Sequence, residues 1–249
     1  MKKIFDVYYT EEKHPMQRLR IYLPDAESFP VFVYFHGGGL VSGNRSASEE
    51  SMIYLAKRGV AVASAEYRMY PDAKYPDFIE DSAAAIAWVK KNFSQYGNVE
   101  GIYAGGSSAG GYLSMMLCFD AKYLRAVGME PTEIAGWFHD AGQPTKHFNV
   151  LKYSGEDSRR VIIDETAPLY HIGTAEKHSP MRFIVSDNDM QNRYEQTMLV
   201  LSTMKHFGYT RFDHVVMHGT HTHYCYPCNG KDGGLGKLVL DFIENPPKE

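Results

Sequence analysis

The chain has 249 residues, of which 44% are hydrophobic and 22% are charged, and this composition is typical of a folded globular protein. Its 26 lysine and arginine and 30 aspartate and glutamate residues give a formal net charge of −4, and neither sign forms a long run. We therefore expect a small or neutral partner and no binding to nucleic acid or to a membrane. The three cysteines are too few to hold a chain of this length together by disulfides.

The amino-terminal sequence and the internal composition predict location and domain number. The first ten residues, MKKIFDVYYT, lack the apolar run of a signal peptide, and no stretch of the chain reads as a membrane span. These features predict a cytoplasmic protein. Because no linker, repeat or low-complexity tract interrupts the sequence, we expect residues 1–249 to form a single domain.

Short apolar runs recur along the chain and predict strands. Residues 31–35 are continuously apolar, as in a strand buried on both faces, and residues 17–23 alternate, as in an outer strand. Between the runs lie longer segments with helical spacing, so we expect an α/β fold, a mostly parallel sheet with helices on both faces. The other predicted strands are residues 60–65, 101–104, 134–138, 182–185 and 212–217.

Two segments have the apolar spacing of helices, residues 78–93 and 191–207. Residues 141–180, by contrast, show no clear apolar period and separate two predicted strands. A loop of that length in an α/β protein is expected to be functional, so we interpret it as a segment covering the ligand-binding edge of the sheet. The predicted apolar face of the second helix consists of Tyr194, Met198, Leu201 and Met204, and Gly208 is its stop signal.

The strand at 101–104 is followed by a serine in a glycine-rich turn. Only the pattern Gly106-x-Ser108-x-Gly110 has the spacing of a nucleophile elbow, which makes Ser108 the candidate nucleophile rather than Ser107. In such a turn the serine adopts a strained backbone conformation, and glycines two residues away relieve the resulting collisions. The hydroxyl then stands at the amino end of a helix, where developing negative charge is stabilised.

A second glycine-rich motif follows the buried strand 31–35, where His36 precedes three glycines. Glycines at this place allow backbone amides to approach a substrate carbonyl. Gly38 and Gly39, together with Ala109 from the elbow, are therefore the predicted oxyanion-hole donors.

These motifs resemble the α/β-hydrolase superfamily, specifically its hormone-sensitive-lipase-like and acetyl or feruloyl esterase branches. The resemblance is carried by HGGG at 36–39, AEYRMYP at 65–71, YPDFIED at 75–81 and the serine elbow, and it extends over residues 31–117. It implies a serine esterase that needs no cofactor or metal. It also favours acetyl or hydroxycinnamoyl esters on plant polysaccharide fragments, because APLY at 167–170 is similar to these proteins as well.

The sequence departs from that family in two respects. The elbow in this branch usually has an aspartate directly before the nucleophile, where this chain has Ser107. The amino-terminal cap helices of the lipase-like members are also absent. We therefore expect an active site that is either open or covered by residues 141–180.

A serine nucleophile needs a base and an acid, which in this superfamily follow it in the order acid, then histidine. For the acid, Asp189 lies three residues after the small residue Ser186, as the family places it, and Asp187 is the alternative. For the base, His221 has the family's Gly-x-His arrangement, with His223 and then His218 as alternatives.

Two other classes of function compete with this hypothesis. His221, His223, Cys225 and Cys228 offer four zinc-binding side chains within eight residues, although structural zinc sites usually take ligands from two separate segments. A non-catalytic, hydrolase-like binding protein is the other class, since fold alone does not fix function. Within the family, an amidase or peptidase has the same catalytic residues as an esterase. We predict a serine carboxylesterase acting on a small-molecule ester through Ser108, His221 and Asp189.

Overall fold

The protein is built around one eight-stranded sheet, seen in a computed structural model that describes residues 1–174, 177–225 and 234–248. Its strands are β1 (Lys2–Tyr8), β2 (Arg18–Leu23), β3 (Ser28–Phe35), β4 (Ala61–Ala65), β5 (Asn98–Ser107), β6 (Gly136–Asp140), β7 (Met181–Asn188) and β8 (Phe212–Thr220). They are ordered β1-β2-β4-β3-β5-β6-β7-β8. Strand β2 is antiparallel to both neighbours and every other adjacent pair is parallel, which confirms the predicted mostly parallel sheet.

One prediction about the sheet was wrong. The strand predicted at 17–23 is not the outer one, because β1 pairs with it and forms the edge of the sheet. The sequence of β1, KKIFDVY, mixes charged and apolar residues and is only partly buried, so it lacks the apolar run that marked the other strands. Within the described residues, three strands precede the first helix.

Seven helices accompany the sheet in the described part of the chain. Residues 78–93 and 191–207 are helical as predicted, within two residues at each end. The predicted apolar face of the second was partly wrong, because Tyr194 is 36% exposed, whereas Arg193 and Val200 are buried together with Leu201 and Met204. The helices are α1 (Glu49–Ala56), α2 (Asp77–Asn92), α3 (Ala109–Phe119), α4 (Lys122–Ala126), α5 (Phe148–Tyr153), α6 (Arg193–His206) and α7 (Gly234–Glu244).

Helices cover both faces of the sheet, as predicted, and each face has its own core. Along β3, Val31, Val33 and Phe35 pack into the core that includes side chains of α2, α3 and α6. Phe32 and Tyr34 point to the other face, where α1 and α7 close the second core. This alternation is the reason that β3 is apolar at every position facing either core. None of the helices in the described residues is long and apolar enough to cross a membrane.

Helix α3 begins directly after Ser108 and has all eleven of its residues buried. A helix that is apolar all round has to lie inside the protein, and this one lies between the sheet and the segment that follows β6. Its burial fixes the position of the turn at its amino end.

The described part of residues 141–180 packs beside that turn. Asn149, in α5, donates a hydrogen bond from Nδ2 to the carbonyl oxygen of Gly39, at 2.6 Å. The hydroxyl of Tyr112, in α3, donates to the carbonyl oxygen of Thr166, at 2.8 Å. The segment therefore contacts both the glycine loop and the helix that follows the candidate nucleophile.

The parallel strands bring the predicted site residues to one edge of the sheet. Strands β3, β5, β7 and β8 end at the same edge because they run in the same direction. The glycines at 37–39, Ser108, Asp189 and His221 each lie at or just beyond one of these carboxyl ends. The topology thus collects residues that are far apart in the sequence.

We predict that Gly110→Ala destabilises the protein strongly. A Cβ atom at this position would lie 1.9 Å from the carbonyl oxygen of Phe35 and 2.9 Å from that of His36, so backbone would have to move. We expect the free energy of unfolding in urea to fall by about 3 kcal/mol or more.

Gly128→Ala is the matched control, because a Cβ atom there meets nothing within 4 Å although φ is +75°. Its expected cost is about 1 kcal/mol. Equal losses of stability in the two variants would contradict this account of the elbow.

Candidate active site

Ser108 lies in a strained turn between β5 and α3. Its φ of 56° and ψ of −112° are sparsely populated for a residue with a side chain. Its amide donates to the carbonyl oxygen of Asp140 at 2.8 Å, which fixes the turn against the neighbouring strand β6. Gly106 and Gly110 flank it where any side chain would collide with backbone, as the sequence motif predicts. The strain orients the serine hydroxyl away from the sheet and towards the final loop.

The hydroxyl of Ser108 lies within hydrogen-bonding distance of His221, at 2.8 Å from Nε2. The other ring nitrogen, Nδ1, lies 2.5 Å from a carboxylate oxygen of Asp189. Since an ionised carboxylate only accepts hydrogen bonds, the ring proton belongs on Nδ1, and Nε2 is left to accept the serine proton. The structure thus brings together the three side chains that the sequence analysis selected.

Asp189 is suited to hold a charged imidazole. Its side chain is fully buried, and burial on its own would raise the pKa of the carboxyl. The hydrogen bond and charge of His221 outweigh this effect, helped by the amides of Met190 and Ser186, so the pKa of Asp189 lies below its usual value. Asp189 therefore stays ionised beside a largely buried imidazole.

The alternative acid and bases make other contacts. Asp187 accepts from Nδ1 of His218 at 2.6 Å and from the amide of Gly219 at 2.9 Å, and the side chains of both Asp187 and His218 are exposed. His223 donates from Nδ1 to the carbonyl oxygen of Thr220, at 2.8 Å. The alternatives thus form a separate group of contacts around the end of β8.

Gly38 and Gly39 line a cavity together with Ser108, and Ala109 directly follows Ser108 as the first residue of α3. Within the described residues, the amides of Gly38, Gly39 and Ala109 donate no hydrogen bond to protein, which leaves them available to an oxyanion. Gly38 and Gly39 have φ values of +117° and +65°, a backbone region that favours glycine. Two of the three predicted donors, Gly38 and Gly39, therefore line the same cavity as Ser108.

The side chain of His36 stabilises the glycine loop through buried contacts. This side chain is fully buried, stacks on Tyr67 with ring centroids 4.4 Å apart, and bonds through Nδ1 to the carbonyl oxygen of Gly37 at 2.6 Å. Burial lowers its pKa, so the imidazole stays neutral. Its part is to hold the loop, and the base that contacts Ser108 is a different histidine.

A cavity of about 570 Å³ opens in front of Ser108. Phe148 and Asn149 of α5 line it on one side, and Tyr34 and Cys225 line it on another. Met190, which is 43% exposed, lies at its rim next to the acid. The cavity is of a size that accepts a small organic ligand.

Asp140 is a residue of the site that the sequence analysis missed. It is fully buried at the end of β6 and accepts hydrogen bonds from the hydroxyl of Tyr224 and, at 3.4 Å, from the thiol of Cys225. Burial raises the pKa of both donors, so both keep their protons. Asp140 thereby attaches the loop that follows His221 to the sheet, while its carbonyl holds Ser108.

Asp140 also accounts for the unusual Ser107. The two residues are paired in register across β5 and β6, and the small side chain of Ser107 leaves room for the carboxyl group. A buried carboxyl group is therefore present beside the elbow, but it belongs to Asp140 on β6 and not to the residue before the nucleophile. No signal in the sequence singles out Asp140, because its role depends on which strand lies beside β5.

The competing zinc hypothesis meets a specific obstacle. Both ring nitrogens of His221 are engaged, one by the acid and one by the serine. Across the three described ranges, no group of three or more His, Cys, Asp or Glu side chains is arranged to hold a metal ion. Cys228, the fourth candidate ligand, lies outside the described residues.

The matches to known sequences each cover less than half of this chain. A family model described as BD-FAE matches residues 19–126, which include the glycine loop and the elbow. An acetyl esterase of Salmonella schwarzengrund is 35% identical over 98 residues, or 39% of this chain. The match spans 30% of that relative's length.

Comparison with solved structures covers nearly the whole chain. Esterase B of Lactobacillus rhamnosis, solved with a tributyrin phosphonate inhibitor, matches with a TM-score of 0.80 and 20% identity over 98% of this chain and 85% of that one. A truncated carbohydrate esterase from gut microbiota matches with a TM-score of 0.77 and 17% identity over 98% and 95%. At such identities the likeness concerns the fold, and it confirms the fold class expected from the sequence.

We predict that a second carboxylate beside Asp140 is unfavourable. Ser107→Asp places two buried carboxyl groups side by side, and their repulsion should lower the free energy of unfolding by about 2 kcal/mol. In an Asp140→Asn background the same substitution should cost at least about 1 kcal/mol less, because only one charge remains. Urea unfolding of the four proteins measures this coupling. Equal costs in both backgrounds would show that the two positions do not interact.

Proposed function

We propose that this chain is a serine carboxylesterase and that it belongs to the hormone-sensitive-lipase-like esterase branch of the α/β-hydrolases. The proposal assigns Ser108 as the nucleophile, His221 as the general base and Asp189 as the acid that orients it. Gly38, Gly39 and Ala109 then stabilise the oxyanion.

The observation that carries the proposal is the continuous hydrogen-bond chain from Ser108 through His221 to Asp189. Its two links, of 2.8 Å and 2.5 Å, use opposite nitrogens of one imidazole. A serine hydroxyl is a poor nucleophile at neutral pH, and this arrangement is what activates it. A binding protein has no need of a strained serine, a free oxyanion hole and a base aligned on one cavity.

Each step of the reaction follows from these contacts. Ser108 Oγ attacks the ester carbonyl carbon, its proton passes to Nε2 of His221, and the carbonyl oxygen becomes an oxyanion facing the amides of Gly38, Gly39 and Ala109. The carbon–oxygen bond to the alcohol then breaks, and the alcohol leaves with the proton from His221. Water attacks the acyl-enzyme with His221 again as base, which releases the acid and restores Ser108.

We propose short acyl groups, acetyl above all, or hydroxycinnamoyl groups as the acyl portion, carried on carbohydrate fragments. The names of two similar proteins, an acetyl esterase and a carbohydrate esterase, support this choice. The cavity also has aromatic walls at Tyr34 and Phe148, on which a sugar or a phenolic ring can pack. Acetylated xylan fragments and methyl ferulate are the substrates that separate the two acyl classes.

We predict that Ser108→Ala abolishes hydrolysis of p-nitrophenyl acetate. Loss of the nucleophile should reduce kcat by about 10⁴-fold or more. Ser107→Ala is the matched control at the adjacent serine, whose hydroxyl accepts from Tyr34 at 3.2 Å, and it should keep most of the activity. The opposite result, with Ser107 essential and Ser108 dispensable, would refute the assignment.

We also predict that activity falls in acid through the uptake of a single proton. An imidazole that is already protonated cannot accept the proton of Ser108, whereas Asp189, with its lowered pKa, stays ionised as the pH falls. The logarithm of kcat/KM for p-nitrophenyl acetate should decline with a slope of about one below neutrality. A rate that is constant down to about pH 4 would contradict a histidine base.

A further inference from the structure

A second cavity adjoins the one in front of Ser108. Its volume is about 320 Å³, and it shares Phe148 and Met190 with the first cavity. Among the described residues, those lining it include three arginines and no acidic residue. A ligand bound at Ser108 and extending over Met190 therefore enters a positively charged space.

The most informative of these arginines is Arg193, the first residue of α6. It is only 4% exposed, and it donates a hydrogen bond to the carbonyl oxygen of Ala141. Among the described residues it forms no salt bridge, and the nearby carboxylate of Asp189 is already bonded to His221. Burial lowers its pKa to about 10, so the guanidinium is charged at neutral pH. A buried cation without a carboxylate partner is unfavourable unless a ligand pairs with it.

Arg160 is the second unpaired cation of this cavity. It is exposed at the surface, and within the described residues it forms no salt bridge. The charge of Asp157 acts on it, but the two oxygens of that carboxylate are bonded to Arg159. Two guanidinium groups thus line one cavity while the neighbouring acids are occupied.

The position of the base indicates which part of an ester reaches this cavity. In the proposed reaction His221 donates its proton to the departing alcohol, so the alcohol has to lie on the side of His221. Met190 directly follows the acid Asp189 and forms the border between the two cavities. The alcohol portion therefore extends past Met190 towards Arg160 and Arg193.

We propose that this second cavity binds a carboxylate carried by the alcohol portion of the substrate, such as the acid group of a uronic acid sugar. The inference rests on the proposed esterase function and deepens it. Guanidinium groups suit this ligand because their paired N–H groups match the two oxygens of a carboxylate. Substrates would then be esters of acidic sugars in preference to neutral ones.

The test compares two substrates of nearly the same shape that differ at one group, an acetylated methyl glucuronoside and its uncharged 6-carboxamide. Release of acetate is measured for both, and p-nitrophenyl acetate is assayed alongside. We expect kcat/KM to be about tenfold higher for the carboxylate, mainly through KM, because a charge-assisted hydrogen bond is lost in the amide. High salt should reduce this ratio, since Arg160 is exposed.

Variants then connect the preference to the two arginines. Arg160→Gln changes an exposed side chain and should lower the carboxylate-to-amide ratio without harm to folding. Arg193→Gln should lower it further, and its circular dichroism and melting temperature show whether the buried substitution is tolerated. Arg125→Gln is the matched control, because this exposed arginine pairs with Glu130 and does not line either cavity.

The outcomes separate this inference from the proposed function. Hydrolysis of all three esters with a carboxylate-to-amide ratio near one would overturn the subsite and leave the esterase standing. A high ratio that persists in Arg160→Gln and in folded Arg193→Gln would also overturn it. If the wild-type protein hydrolyses none of the esters, the proposed function is wrong and the subsite falls with it.

Discussion

The strained backbone at Ser108 is the constraint on which the rest of this site depends. Conformations of this kind cost about 1–3 kcal/mol each and persist only where the surroundings enforce them. Here the enforcement comes from a helix that is buried along its whole length, from glycine backbone in contact with β3, and from Asp140 on the next strand. The carboxyl group of Asp140 also holds the loop that follows His221. Asp140 therefore helps to position both the nucleophile and the base. As a result, the backbone strain at Ser108 is coupled to the packing of the loop that follows His221.

The parts of the site that were predictable are those whose cause is local. The spacing around Ser108 follows from the sterics of a tight turn, and the glycines at 37–39 follow from the need for close backbone approach, so both are visible in a short stretch of sequence. The choice of Asp189 over Asp187 rested on the resemblance to a family. The structure adds a physical reason, since residue 187 lies exposed against the end of β8, whereas residue 189 turns inward to His221.

The parts that were missed depend on contacts between distant segments. Asp140 contacts Ser108, Tyr224 and Cys225 only because β6 lies next to β5. The order of the strands in a sheet cannot be predicted from any local sequence pattern. Strand β1 escaped notice for a similar reason, since an edge strand has a mixed sequence and is defined by its pairing with β2. The buried face of α6 includes Arg193, a residue that an apolar periodicity cannot select. A reason for burying this arginine is found only in the structure, where Arg193 lines the second cavity.

The convergence of the site on a single hydroxyl is tested most directly by covalent labelling. A fluorophosphonate reacts with a serine that is activated by a base and faces an oxyanion hole, and peptide mapping by mass spectrometry identifies the residue modified. If Ser108 is the nucleophile, we expect one adduct per chain, on Ser108, with labelling that slows as the pH is lowered. An adduct on Ser107 or on any other residue, or a folded protein that takes no label, would contradict this assignment.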